Sequence, residues 1–351
     1  MQKRLMRGND AIAEAAIRAE CMAYFGYPIT PQNEIPEYMA AHLGRIGGIF
    51  VQAESELAAI NMVYGAAATG ARAMTSSSSP GIALKQEGLS YLAGADLPCV
   101  MVSVSRAGPG LGGILPSQSD YFQAVRGGGN GDYFTPVYAP SSVQEAADLT
   151  QKAFHVADKY RTPVIVLIDG ILGQMMEPVV FRDAPRAKMD ISWVIDGELD
   201  TRPRRVITSL DLAPEPMEEL NRVRFARYEQ IKQAEVMVES QVTEGDEIAI
   251  AGYGIPARIA QNAIELLRKE GIRAALIRPI TLWPFPETAF ANLPQSVKHV
   301  LVAELSMGQM VQDVQAAVAG RVPVHFYGRC GGMIFEPMEI VEQVREIVRK
   351  S

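Results

Sequence analysis

The sequence predicts an α/β protein with a large parallel-sheet domain and a smaller α/β domain, and three observations support this class. Short apolar runs alternate with segments of helical period along most of the 351 residues, as in parallel sheets covered by helices. Residues 98–105 form a mainly apolar run, typical of a strand buried on both faces. The 30 glycines and 22 prolines are spread along the chain, as many strand–turn–helix junctions require.

Periodicity and capping predict the elements of a first domain, residues 1–182. Asn9 or Asp10 can cap a first helix whose apolar residues recur with the helical period. A helix rich in small residues follows from Ser55 to about Thr69. The other predicted helices lie at 36–43, from about 81 to 92, at 119–125 and at 143–159. The predicted strands lie at 23–28, 49–53, 72–75, 98–105, 135–139 and 164–168.

Residues 183–243 break the alternation and are predicted to be a connector. Prolines and charges concentrate at 184–188, 201–205 and 212–217, and one polar helix is predicted at 218–239. A second, smaller domain is predicted from 244 to 351, where the alternation resumes. Its predicted strands lie at 247–251, 274–278, 300–304 and 324–327, and its helices at 256–270, 308–319 and 337–349.

Composition excludes several classes of function. The 33 basic and 40 acidic residues give a net charge of -7, which disfavours nucleic acid as a partner because phosphate binding needs a basic surface. Cys21, Cys99 and Cys330 are far apart and form no CxxC pair, so no metal or iron–sulfur ligand set is predicted. The sequence has no long apolar run and no apolar leader, so we expect no membrane association and a cytoplasmic location.

Two candidate binding groups follow predicted strands, where ligands bind in open parallel sheets. Thr30 lies between two prolines in Tyr-Pro-Ile-Thr-Pro-Gln at 27–32, which would fix its hydroxyl; an ordinary proline-braced turn is the alternative. Arg106 begins a glycine-rich segment, and its guanidinium could pair with a carboxylate substrate. The alternative is a flexible loop with Arg106 in solvent. Polar residues at 116–120 add to the groups expected there.

Two carboxylates, Glu54 and Glu56, flank Ser55 between a predicted strand and a predicted helix. They could simply complement the helix dipole. Alternatively, one of them lies in an apolar pocket with a raised pKa and exchanges a proton with a heterocycle.

The serine run at 75–81 could cradle an anion or cap a helix, and it lacks the GxxxxGK[ST] pattern of an ATP-binding loop. No GxSxG elbow is present, which disfavours a hydrolase. The four histidines are dispersed in the sequence and are expected to be structural.

Several segments together resemble the alpha subunit of the 2-oxoacid:ferredoxin oxidoreductases. In the first domain they are AYFGYPITP at 23–31, QAESELAA at 52–59, TSSSSPGIALKQE at 75–87, PSQSDYF at 116–122 and DGILGQMMEP at 169–178. In the second domain they are AGYG at 251–254, RPITLWPFP at 278–286 and AELSMGQM at 303–310. Within the family the chain looks most like the 2-oxoisovalerate (3-methyl-2-oxobutanoate) enzyme, with the 2-oxoglutarate enzyme second.

The resemblance implies a thiamine-diphosphate enzyme that oxidatively decarboxylates a 2-oxoacid to acyl-CoA and passes electrons to ferredoxin. It implies a pyrimidine-binding domain followed by a domain similar to the C-terminal domain of transketolase. Magnesium and the cofactor diphosphate are expected on a beta subunit, and iron–sulfur clusters on partner subunits that include gamma and ferredoxin-like delta chains. The sequence has no Gly-Asp-Gly followed by Asn-Asn, so we expect no metal on this chain and no activity from it alone. Self-association is also expected.

The same resemblance implies roles for three residues. Glu56 matches the glutamate that hydrogen-bonds N1′ of the aminopyrimidine, Thr30 the threonine that contacts substrate or cofactor, and Arg106 the arginine that faces the substrate carboxylate. Glu54 has no implied role. Two other classes stay open: a non-catalytic assembly subunit, and a nicotinamide-dependent dehydrogenase, although no predicted helix opens directly on the glycine segment at 105–113, as dinucleotide binding would require.

Overall fold

The computed structural model of the chain describes residues 3–182, 190–197 and 203–350. Parts of the predicted connector, residues 183–189 and 198–202, lie outside these described residues. The domain limits at 182 and 243 stay predictions.

Strands and helices alternate along most of the described chain. In chain order the strands are β1 (Arg4–Arg7), β2 (Ala23–Gly26), β3 (Ile49–Gln52), β4 (Ala73–Ser77), β5 (Cys99–Ser105), β6 (Val137–Tyr138), β7 (Pro163–Asp169), β8 (Met176–Val179), β9 (Val238–Ser240), β10 (Ile248–Ala251), β11 (Ala274–Pro279), β12 (Thr281–Trp283), β13 (His299–Glu304) and β14 (Val324–Gly328). The helices are α1 (Gly8–Arg18), α2 (Glu34–His42), α3 (Glu56–Ala68), α4 (Ser79–Leu84), α5 (Gln86–Gly94), α6 (Tyr121–Arg126), α7 (Val143–Tyr160), α8 (Gly170–Gln174), α9 (Pro214–Ala234), α10 (Gly254–Lys269), α11 (Glu287–Ala291), α12 (Met310–Val318) and α13 (Pro337–Lys350), with a short 3₁₀ helix at Leu43–Ile46.

The larger sheet has seven strands in the order β12-β6-β7-β5-β4-β2-β3. Every pair in it is parallel except β12 with β6. All seven residues of β5 are buried, which confirms the prediction from the apolar run at 98–105. This buried central strand carries the loop that begins at Arg106.

The smaller sheet has five strands in the order β14-β13-β10-β11-β9. Its pairs are parallel except that β9 runs antiparallel to β11. The α/β class with two mainly parallel sheets, predicted from the alternation, is therefore confirmed.

Three short antiparallel additions differ from the predicted elements. Strand β1 pairs with β8 in a separate two-stranded sheet. Strand β12 lies within the range predicted for the second domain but extends the larger sheet. The polar helix predicted at 218–239 ends earlier, because α9 stops at Ala234 and β9 follows it. Such short pairs form between segments distant in sequence, and periodicity carries no signal of them.

The two sheets share packed contacts across their boundary. The rings of Tyr121 and Tyr253 lie 5.8 Å apart. The Gln118 side chain donates to the Tyr253 carbonyl at 3.0 Å and accepts from the Leu305 N–H at 3.0 Å. Residues from the 116–120 segment thus connect the carboxyl end of the larger sheet to the smaller one.

Two of the four histidines meet in the smaller sheet. His299 Nδ1 and His325 Nε2 lie 3.2 Å apart on the neighbouring strands β13 and β14. Burial lowers the pKa of both rings. Their separation of 26 residues hides this contact in the sequence.

No helix within the described ranges combines the length and the apolar character needed to cross a bilayer.

Candidate active site

The candidate residues lie at the carboxyl end of the larger sheet. Strands β2, β4, β5 and β7 are parallel neighbours, so the segments that follow them meet at one edge. These segments carry Thr30, the serine run and Arg106, while α3, which follows β3, carries Glu56. The strand order therefore brings together groups separated by up to 76 positions in the chain.

Glu56 is the first residue of α3, and its side chain is buried. The helix begins there because Ser55 is extended and its hydroxyl accepts a hydrogen bond from the Ala58 N–H at 3.2 Å. Glu56 is only 6% exposed, whereas Glu54 is exposed. The two acids of Glu-Ser-Glu thus occupy different environments.

Gly81 of α4 provides the space for the Glu56 carboxyl. A Cβ atom built on Gly81 would lie 2.4 Å from Glu56 Oε1 and 2.1 Å from Ser77 Oγ. Any larger residue at position 81 would therefore displace one of these two groups. The close approach depends on glycine at the first turn of α4.

Lys85 is fully buried beside these groups, and the sequence analysis did not single it out. Its Nζ donates to Thr75 Oγ1 at 2.7 Å. Burial lowers its pKa to about 7, and the charge of Glu56 opposes this shift. A lysine in a run of apolar and small residues, as in Gly-Ile-Ala-Leu-Lys at 81–85, was the available signal.

Arg106 is buried rather than solvated, and it joins two loops. Its Nη1 donates to the Thr30 carbonyl at 2.8 Å and its Nη2 to the Leu111 carbonyl at 3.0 Å. Its Nε is buried without a hydrogen-bond partner. The Thr30 side chain is exposed, and the Asn33 amide lies 3.5 Å from its hydroxyl. The alternative of an arginine in solvent is therefore wrong.

The serine run is buried and has divided roles. Ser76 accompanies Tyr24 and Gln32 in a buried network, with 2.6 Å between the Ser76 and Tyr24 hydroxyls. The Ser77 and Ser78 hydroxyls are buried without partners. Ser78 is the N-cap of α4 but makes no side-chain cap hydrogen bond, so helix capping does not explain the run.

The segment at 116–120 converges on Arg106, as the sequence analysis predicts. Ser79 Oγ accepts from the Arg106 N–H at 2.9 Å and donates to Asp120 Oδ2 at 2.5 Å. Burial raises the pKa of Asp120, while Ser79 and Arg106 act against that rise. A cleft of about 660 Å³ opens next to Ser79 and Asp120, and Met307 and Cys330 also line it.

Asp169, at the end of β7, is a buried carboxyl with a structural task. Its Oδ1 accepts from the Ile171 and Leu172 N–H groups at 2.9 and 3.1 Å and so caps α8. Burial raises its pKa to about 6 despite these hydrogen bonds. Among the described residues, no group of three or more His, Cys, Asp or Glu side chains could hold a metal ion.

Two family profiles match the chain. Residues 14–239 match pyruvate flavodoxin/ferredoxin oxidoreductase, thiamine diphosphate-binding, and residues 246–340 match pyruvate:ferredoxin oxidoreductase core domain II. Among curated relatives, the ketoisovalerate oxidoreductase subunit VorB of Methanothermobacter thermautotrophicus is 47% identical, with 100% of this chain and 99% of that protein covered. The 2-oxoglutarate synthase subunit KorA of Archaeoglobus fulgidus is 38% identical, with 98% and 99% covered.

Solved structures agree with this similarity. The 2-oxoglutarate:ferredoxin oxidoreductase from Magnetococcus marinus superimposes with a TM-score of 0.87 at 30% identity. The match covers 98% of this chain and 65% of that one, so this chain spans about two thirds of it. A split-gene transketolase at 14% identity and a TM-score of 0.60 shares the fold alone. The profile over residues 14–239 and the full-length relatives establish that the chain belongs to the pyruvate flavodoxin/ferredoxin oxidoreductase family and contains its thiamine-diphosphate-binding domain.

Proposed function

We propose that this chain is the pyrimidine-binding subunit of a thiamine-diphosphate-dependent 2-oxoacid:ferredoxin oxidoreductase that converts 2-oxoisovalerate and CoA to the acyl-CoA and CO₂. The two electrons released pass to ferredoxin. The observation that carries this proposal is the buried carboxyl of Glu56 at the start of α3, in close approach to Gly81. That is the kind of group needed to exchange a proton with a heterocycle.

The groups around Glu56 fit an aminopyrimidine. Ser77 and Ser78 have buried hydroxyls without partners, and buried polar groups in proteins are normally paired. When bound, thiamine diphosphate supplies a nucleophilic carbon that adds to the 2-oxoacid carbonyl and accepts the electrons left by decarboxylation. The task of Glu56 is to hold and transfer the proton at N1′ of the pyrimidine.

Arg106 is proposed to face the substrate carboxylate. Its buried Nε–H lacks a partner, and a carboxylate would provide one. Its other nitrogens fix the Thr30 and Leu111 carbonyls, so the guanidinium is already oriented. The proposed role of Thr30 is contact with substrate or cofactor through its exposed hydroxyl.

Other subunits are proposed to supply the rest of the reaction. Cys21 and Cys99 are buried and Cys330 is exposed, so they offer no common ligand site for a cluster. We assign magnesium and the diphosphate to a beta subunit, and the iron–sulfur clusters to gamma or delta subunits. CoA and ferredoxin are proposed to bind the assembled complex, and the chain alone is proposed to be inactive.

The substrate assignment is supported by two VorB relatives at 47% and 46% identity, whereas the KorA relatives lie between 35% and 38%. The test is to reconstitute the chain with its partner subunits and to measure CoA-dependent dye reduction with 2-oxoisovalerate and 2-oxoglutarate. We expect kcat/KM to favour 2-oxoisovalerate by at least about 100-fold, because a site built for an apolar side chain leaves a second carboxylate unpaired. A preference for 2-oxoglutarate would establish the alternative substrate. If an assembled, cofactor-loaded complex showed no activity with any 2-oxoacid, the chain would be assigned the role of a non-catalytic assembly subunit.

A further inference from the structure

Lys85 is a buried charge for which the reaction proposed above has no role. The structure assigns Lys85 as a positioning residue whose ammonium is the counter-charge of the Glu56 carboxylate. This inference rests on the proposed function for its catalytic meaning. The electrostatic coupling of the two groups is a property of the chain and can be measured without cofactor.

The backbone places the two side chains on the same surface. Lys85 follows Gly81 by four residues, and positions four apart lie on one face of a helix. Gly81 is the residue that approaches the Glu56 carboxyl. Lys85 therefore leaves α4 from the face that Glu56 covers.

Strand β4 carries residues next to both side chains. Thr75 Oγ1 accepts a hydrogen bond from Lys85 Nζ at 2.7 Å. Ser77 Oγ and Glu56 Oε1 both lie close to Gly81. Residues 75 and 77 share one face of the strand because side chains alternate with a period of two. The ammonium and the carboxyl are thus held against neighbouring positions of one strand face.

The charges around Lys85 identify Glu56 as its partner. Two titratable groups act on it, Glu56 from α3 and Cys99 from β5. Burial raises the pKa of the Cys99 thiol to about 12, so that group is neutral at working pH. The hydroxyl of Thr75 carries no charge. Glu56 is therefore the group that can compensate a buried ammonium here.

The first test measures the Glu56 carboxyl directly in the full-length chain. Infrared difference spectra, wild type minus Glu56→Gln, isolate its carboxylic acid band across a pH titration. In a Lys85→Met background the midpoint should rise by about 1–3 pH units, the effect of removing a nearby opposite charge. Lys152→Met is the control, because Lys152 pairs with Glu235 on the other side of the domain and should leave the Glu56 midpoint unchanged.

The second test uses wild-type Lys85 and needs no substitution at that position. In ¹³Cε-lysine NMR spectra, Lys85 is the resonance that titrates near pH 7, apart from ordinary lysines near pH 10. Glu56→Gln should lower this midpoint by the same number of pH units, because coupling between two sites is reciprocal. This arm stays decisive if Lys85→Met fails to fold. Midpoints that move by less than about 0.3 pH units would overturn the assignment.

A third measurement separates this inference from the proposed function. In the reconstituted complex, Lys85→Met should move the pH midpoint for C2 proton exchange of bound thiamine diphosphate upward, whereas a purely structural role would change only the amplitude. If C2 exchange were indifferent to Glu56→Gln while the two titrations remained coupled, the proposed function would fail and the electrostatic coupling of Lys85 and Glu56 would stand. If the two titrations proved independent while C2 exchange still depended on Glu56, only the role of Lys85 would be rejected.

Discussion

Glu56 of the larger sheet and Glu304 of the smaller sheet are both buried glutamates between a strand and a helix, but their surroundings differ. Glu304 ends β13 and is fully buried. Its carboxylate accepts from the Ser306 hydroxyl at 2.9 Å and, at 2.9–3.1 Å, from three backbone N–H groups, which belong to Gln309, Met310 and Val311. Glu56 instead lies close to Gly81 and to the charge of Lys85. Burial alone therefore does not mark a reactive carboxyl; the number of fixed donors around it does.

The largest expected effect comes from making the same substitution at both positions. Glu56→Gln keeps the size of the side chain but removes the transferable proton, so C2 proton exchange of bound thiamine diphosphate should slow by roughly 10²–10⁴. Hydrogen/deuterium exchange at C2 in the reconstituted complex measures this rate.

Glu304→Gln is the matched control and should have the opposite profile. The NH₂ group of a glutamine would face one of the backbone N–H donors at the start of α12 and leave it without an acceptor. The free energy of unfolding should therefore fall by about 2–4 kcal/mol. In the folded complex, C2 exchange should stay near the wild-type rate. Equal losses of exchange in two intact variants would remove the distinction between the two glutamates.

The part of the fold that the sequence could predict is the part fixed by local patterns. The run at 98–105 predicted β5 because a central strand must be apolar on both faces. Strands β9 and β12 were missed because each has three residues and pairs antiparallel at a sheet edge. Three residues carry too little periodicity to separate a strand from a loop.

In the candidate site, too, some features could be predicted from the sequence and others depend on tertiary packing. The resemblance singled out Glu56 over Glu54, and the structure buries Glu56 and exposes Glu54, as a proton partner requires. The role of Glu56 is still a prediction. Lys85 was overlooked because its meaning depends on Thr75 and Glu56, which only tertiary packing brings to it. The contacts of Arg106 with Thr30 and Leu111 likewise follow from loop geometry rather than from residue type.

The second prediction tests the charge that accompanies Glu56 but not Glu304. Burial lowers the pKa of Lys85 in the folded chain to about 7, from its ordinary value of 10.5. Between these values the unfolded chain binds more protons than the folded one, so folding stability rises with pH. The free energy of unfolding of wild type, relative to Lys85→Met, should therefore increase by up to about 1.4 kcal/mol per pH unit from pH 7 to pH 10. Urea unfolding of both chains at several pH values checks this slope, and a flat difference would contradict it.

The third prediction concerns the substrate side of the same sheet edge. If Arg106 pairs with the 2-oxoacid carboxylate, Arg106→Ala should raise KM by a factor equivalent to about 1.5–3 kcal/mol and change cofactor affinity little. Arg258→Ala is the control: Arg258 also donates to a backbone carbonyl and pairs with a carboxylate, but it contacts Ser141 and Glu177 rather than Thr30 and Leu111. Steady-state kinetics of the two complexes separates the effects. If Arg106→Ala left KM unchanged, the role of Arg106 would be structural, through its hydrogen bonds to the Thr30 and Leu111 carbonyls.

The smallest expected effect tests the close approach of Gly81 to Glu56. In Gly81→Ala, the new methyl group would press on Ser77 Oγ and Glu56 Oε1, so the free energy of unfolding should fall by about 1–3 kcal/mol. Gly65→Ala on α3 is the matched control, because nothing lies within 4 Å of a Cβ built there. It should raise stability by about 0.5–1 kcal/mol, since alanine restricts the unfolded chain more than glycine does.

A double variant separates the effects of Gly81→Ala on its two neighbours, Ser77 and Glu56. Ser77→Ala removes the hydroxyl nearest the new methyl group, so Ser77→Ala/Gly81→Ala should recover part of the lost stability. It should not recover C2 exchange, because the methyl group still displaces the Glu56 carboxyl from the position at which it meets the pyrimidine. Urea unfolding of the full chain and exchange in the reconstituted complex measure the two quantities separately. If the double variant restored both, Ser77 rather than Glu56 would be the group that needs the glycine, and glycine at position 81 would be a packing requirement of α4 alone.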